Sequence, residues 1–131
     1  MASLKELLQS ADWKTEKHVP VIEATDKAKK QETVKISVTV GKGIAHPNTT
    51  EHHIAWIELY FLPRGEKFPY QLGRFEFSAH GASVQGPNTS TIYTLPTLVC
   101  SLKSDKSGTL VASSYCNIHG LWESTKELTV E

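Results

Sequence analysis

Val34, Ile36, Val38 and Val40 alternate with Lys35, Ser37 and Thr39, and Gly41 closes the run. Apolar residues at every second position describe a strand with one buried and one wet face. This pattern rules out a helix over these residues and calls for a second layer to cover the apolar face. Other segments fit the same scheme. His53 to Leu62 is dense in aromatic and aliphatic residues and stops at Pro63-Arg64-Gly65, a turn signal. Leu72 to Ala79 sets Phe75 and Phe77 on one face, and with Trp56 and Tyr60 these read as core aromatics. Thr97 to Lys103 and Thr109 to Tyr115 are β-rich, and Ser104-Asp105-Lys106-Ser107-Gly108 between them reads as a hairpin loop. Lys126 to Val130 reads as a last edge strand whose charges discourage further pairing.

One helical signal precedes the strands. Leu4, Leu7 and Leu8 share a face, and Ser3 with Glu6 forms a capping box. So short a helix is expected to dock by its leucines, with Trp13 helping to bury it. The expected fold is all-β: an immunoglobulin-like antiparallel β-sandwich of about seven strands with a short N-terminal helix, forming a single domain over residues 1–131.

Composition narrows the function. No apolar run approaches the roughly 20 residues of a spanning helix, so no membrane role is expected. Zero formal net charge gives no support to nucleic-acid binding. The N-terminus lacks a basic and then apolar stretch, so a cytoplasmic location is expected, with both cysteines as reduced thiols. The sequons at Asn48 and Asn88 then read as chance matches in polar turns.

Against that background the histidines and one cysteine stand out. Cys116-Asn117-Ile118-His119-Gly120 places a thiol and an imidazole three residues apart, close enough for one turn to aim both at one ion. Glycine at 120 lets the chain leave that turn in a conformation other residues avoid. His18, His46 and His52 fall in loops or at strand ends, and Pro47 stiffens the backbone beside His46. One thiolate with several imidazoles suits a redox transition metal better than a closed structural site, and the spacing leaves iron, copper and zinc open. His53 alternates away from His52 and is expected to point elsewhere, His80 matches no ligand position, and Cys100 reads as a small core residue. Tyr115 and Trp122 are candidates for the surroundings of the site, with Trp122 expected to shield the thiolate. Asn117 and Ile118 are candidate backbone donors to the sulfur.

Three motifs in order, Glu16-Lys17-His18-Val19-Pro20, His46-Pro47 with His52-His53-Ile54, and Cys116-Asn117-x-His119-Gly120, resemble superoxide reductase of the one-iron, neelaredoxin type, the iron-binding domain family of desulfoferrodoxin. The resemblance covers nearly the whole chain. It implies a mononuclear iron with equatorial imidazoles from His18, His46, His52 and His119 and an axial thiolate from Cys116. It further implies Glu16 as the carboxylate that can fill the sixth position and Lys17 as the lysine over the open face. The implied reaction is one-electron reduction of superoxide to hydrogen peroxide, with electrons from a rubredoxin-like donor, in a homotetramer. Two other readings compete. A cupredoxin-like electron carrier needs two imidazoles, a cysteine and a weak axial methionine, and the only methionine is Met1. A metal-free immunoglobulin-like interaction module has no use for the motif set.

Overall fold

The computed structural model describes residues 2–131, so Met1 lies outside the described residues. The elements in chain order are α1 (Leu4–Leu7), β1 (Pro20–Glu23), β2 (Lys27–Ala28), β3 (Val34–Val40), β4 (Ile54–Pro63), β5 (Tyr70–Glu76), β6 (Thr97–Leu102), β7 (Gly108–Cys116) and β8 (Gly120–Val130). They form two sheets, β1-β3-β6 and β2-β8-β7-β4-β5. The inward residues of β3, β4 and β7 meet between the sheets. Ile36, Val38, Ile57, Leu59, Leu110 and Ala112 are all fully buried there. Each Ile or Leu so placed contributes roughly 1.5–3 kcal/mol of burial free energy. Cys116, the last residue of β7, belongs to the same core, which fixes the thiol from below.

The β-sandwich and the strand alternation in β3 match the sequence reading. Several details differ. β6 and β7 do not form a hairpin. β6 lies in the small sheet and β7 in the middle of the large one, so residues 103–107 cross between layers. A short polar loop ending in glycine serves either connection, and only the non-local partners distinguish them. β8 runs eleven residues rather than five. Its edge is covered more than charged: Gln9 pairs beside Trp122, and the two-residue β2 pairs in parallel at Thr129 and Val130. The sandwich is therefore not wholly antiparallel. β1 starts at a proline and has four residues, too few for alternation to register.

The aromatic residues divide. Phe77 is buried, whereas Phe75 is half-exposed 5.2 Å from it. Trp56 and Tyr60 lie on the outer face of β4, where Trp56 stacks on Tyr115 at 5.8 Å and carries the Arg74 guanidinium at 4.5 Å. At the N-terminus Ser3 makes no side-chain cap, and Leu4 and Leu7 remain exposed. Leu4 and Leu8 only line a shallow depression on this outer face, together with Tyr60 and Leu121. Trp13 lies against Gly43 in the loop that carries His46.

Candidate metal centre

Four segments meet at the end of the sandwich where β4 begins and β7 ends. His18 lies two residues before β1, and its carbonyl accepts from the buried Ser114 hydroxyl at 3.3 Å, which holds that strand entry against β7. His46 sits in the β3–β4 loop. Gly41 is required there: its φ is +87°, and a Cβ on it would come 2.8 Å from the His46 nitrogen. His52 closes a small turn in which its N–H donates to Thr49 Oγ1 at 3.0 Å and its carbonyl accepts from Thr49 N–H at 2.9 Å. Cys116 and His119 flank the β7–β8 hairpin turn, where Cys116 pairs with Gly120 and Gly120 takes φ +80°.

Asn117 joins the third and fourth of these segments. Its Oδ1 accepts from His53 N–H at 2.8 Å, and its Nδ2 donates to the Glu51 carbonyl at 2.8 Å. Its own N–H donates to the His53 carbonyl at 3.2 Å. The backbone donor to sulfur is therefore His119, whose N–H lies 3.3 Å from Cys116 Sγ, rather than Asn117 or Ile118.

The result is convergence. His18, His52, Cys116 and His119 each place one ligand atom within 4.8 Å of all the others. His46 lies just outside that group, with its ring 4.9 Å from His18 and 4.8 Å from His52. Hydrogen bonds at the far side of two of the rings, His18 and His46, determine which nitrogen each presents. His18 Nδ1 faces Glu16 Oε1 at 2.5 Å and His46 Nδ1 faces the Pro47 carbonyl at 2.6 Å. Both oxygens can only accept, so each Nδ1 carries the proton and Nε2 keeps its lone pair. His119 presents Nδ1, 3.1 Å from His18 Nε2 and 3.8 Å from the sulfur.

These residues fit a metal ion. His46 Nε2 and His52 Nε2 are buried with no hydrogen-bond partner. Each such orphan costs about 1–3 kcal/mol unless something fills it. Burial pushes the His46 pKa down to about 4 and lowers that of His52, so both imidazoles are neutral and able to coordinate at pH 7.

The two charged residues of the first motif occupy different places. Lys17 shares an open depression with Thr15, Glu16, His18, Ile44 and His119. Its charge reaches His46 and His52, lowering the pKa of both. Glu16 is held at the rim of the site. Its Oε1 accepts from the ring and from the backbone N–H of His18, and the ring hydrogen bond is the main cause of its lowered pKa. This is the carboxylate–histidine arrangement that orients a metal ligand. To reach a metal itself, the carboxylate would have to leave His18.

Trp122 covers a histidine of the cluster. It stacks on His18 with centroids 5.0 Å apart and planes 15° from parallel, and its Nε1–H donates to the His119 carbonyl at 3.2 Å. Tyr115 is on the outer face, away from the cluster. Nothing in the sequence pattern marks Ser114 or the double role of Asn117. His53 does turn away from His52, stacking on His80. Cys100 is half-buried against the core.

The Desulfoferrodoxin family matches residues 10–125. A superoxide reductase of Pyrococcus furiosus is 61% identical over 128 residues, covering 98% of this chain and 99% of its own. A solved structure from Thermotoga maritima is 57% identical and superposes with a TM-score of 0.97, covering 100% of this chain and 99% of that one. The reduced superoxide reductase (neelaredoxin) of Archaeoglobus fulgidus is 62% identical with a TM-score of 0.88, over 95% of this chain and 99% of that one. Matched over most of its length by the family and by relatives of this identity, this chain belongs to the desulfoferrodoxin family, on its neelaredoxin-type superoxide reductase branch.

Proposed function

We propose that the chain is a one-iron superoxide reductase, a single domain over residues 1–131 with His18, His46, His52, His119 and Cys116 as the ligands. The observation that carries this reading is the convergence of three imidazoles and one buried thiol within 4.8 Å of one another, with the His46 ring beside them and two ring nitrogens otherwise unpartnered. Iron held by that set would supply the one-electron reducing chemistry that, with two protons, converts superoxide to hydrogen peroxide. The surrounding residues do the rest. The His119 N–H stabilises the Cys116 thiolate, and Glu16 keeps the His18 lone pair aimed inward. Lys17 raises the local concentration of a small anion at the open depression. Glu16 is also the carboxylate nearest the site that could serve a bound metal, at the cost of its His18 bond.

The electron comes from outside, because two cysteines cannot hold a second iron–sulfur centre, and a rubredoxin-like protein is the donor we infer. A homotetramer follows from the resemblance. Cytoplasmic residence fits the two free thiols, and among the described residues no helix is long and apolar enough to cross a membrane. The cupredoxin-like reading leaves two of the four imidazoles without a task.

Metal analysis and product counting test the proposal together. Protein purified without added metal should carry about one iron per chain, and anaerobic mixing of its ferrous form with superoxide should yield about one peroxide per superoxide without oxygen. Stoichiometric copper, or sustained oxygen evolution, would contradict it. Lys17→Ala should slow the second-order reaction by on the order of tenfold at low salt and flatten its ionic-strength dependence. An unchanged rate in stopped-flow measurements would remove Lys17 from substrate capture.

A further inference from the structure

His80 belongs to no part of the ligand set, yet it is buried and doubly engaged. Its Nδ1 lies 2.7 Å from Asn48 Oδ1, its Nε2 lies 2.6 Å from the Phe77 carbonyl, and its ring stacks on His53 at 3.6 Å. The orientation of Asn48 is decided by its other contact. Asn48 Nδ2 donates to the Thr94 carbonyl at 3.1 Å, so turning the amide would set oxygen against oxygen. His80 therefore faces an acceptor at each nitrogen. A neutral ring has one N–H, and either tautomer would leave a lone pair against an oxygen. Only the imidazolium satisfies both sides.

We infer that His80 is held as a doubly protonated imidazolium at neutral pH and is a positioning residue for the loop of residues 46–52, tying that loop through Asn48 to the segment 77–94. The loop carries His46 and His52, and further ties run to the same segment: Thr50 Oγ1 donates to the His80 carbonyl, and Thr50 N–H donates to Asn88 Oδ1, while Asn117 holds the Glu51 carbonyl from the other side. The titratable groups packed around His80 are His53 and Tyr93. His53 turns Nδ1 to the Thr49 carbonyl, and Tyr93 pairs with His80 through the backbone. Glu51, on the same loop, turns both oxygens to Asn88 Nδ2 and is not its counter-ion. Burial pulls the His80 pKa down, the Phe77 carbonyl pulls it up and His53 pulls it down again. Net lowering would leave the ring neutral and one contact repulsive, and the two acceptors decide for the cation.

A histidine charged in the folded protein has a folded pKa above its unfolded value of about 6.5. The tie is therefore complete below that value and is lost as pH rises through the folded pKa. Protonation of metal ligands acts in the opposite direction, releasing metal as pH falls.

Nitrogen NMR on the zinc-loaded full chain at neutral pH should find both His80 ring nitrogens protonated; one unprotonated nitrogen would overturn the charge assignment. That measurement is independent of the iron reading, on which the second one rests. Iron transfer to a chelator should accelerate as pH rises through the His80 titration. Asn48→Ala should shift that rise and the NMR titration together to lower pH. His80→Gln should abolish the rise and release iron about 10–100-fold faster. If release in Asn48→Ala fails to follow the His80 titration while wild-type iron content stays at one, the positioning role falls and the metal centre stands.

Discussion

Cys116→Ser is expected to abolish the thiolate-to-ferric charge-transfer band of the oxidised protein and to lower its reaction rate with superoxide by orders of magnitude. Cys116 is the sole thiol of the cluster, fully buried at the end of β7 and approached by the His119 N–H. A serine hydroxyl fits the volume and can accept the same N–H, so the sheet should tolerate the change at a cost of about 1 kcal/mol. What it cannot supply is a charged, polarisable ligand at neutral pH, and with that would go the electron donation that a thiolate offers a bound metal. Spectroscopy and stopped-flow kinetics on iron-reconstituted protein, with circular dichroism as the folding control, decide the matter. An unchanged band with unchanged activity would mean that the sulfur is core packing and nothing more.

How far the sequence anticipates this site depends on the range over which each feature is determined. The turn from His52 to His53 was readable because strand alternation sends neighbouring side chains to opposite sides, and His53 indeed meets His80 rather than the cluster. The ring nitrogens were not readable. They depend on Glu16 for His18 and on Pro47 for His46, which are contacts of rotamers and not of spacing. The place of Glu16 was hidden for the same reason: a carboxylate two residues before a histidine can serve the metal or the histidine, and here it holds the ring. Trp122 shows the limit from the other side. Its position two residues after Gly120 suggested a cover for the turn, but the β8 register carries its ring onto His18.

Gly108 extends this point into a prediction about the fold. As the last residue of a polar loop it reads as a turn glycine, chosen for freedom of φ. Its φ is not in the left-handed region, and it is the first residue of β7, paired with Pro63 on one side and Leu128 on the other. The requirement is space. A Cβ at this position would lie 2.4 Å from the Leu62 carbonyl oxygen and 2.7 Å from the Phe61 ring. Backbone cannot yield as a flexible side chain does, so Gly108→Ala must push β7 away from β4 or displace a buried phenylalanine. Either route costs about 1–3 kcal/mol, and more where the strands cannot separate. We expect chemical denaturation to show a loss toward the upper end of that range with little change in the slope against denaturant. Iron content and the charge-transfer band should survive in the folded fraction, because Gly108 and Cys116 stand at opposite ends of the same strand. A variant as stable as the parent would mean that β7 and β4 have slack at this end. Loss of the band in folded protein would mean instead that the strand transmits displacement along its whole length to the thiolate.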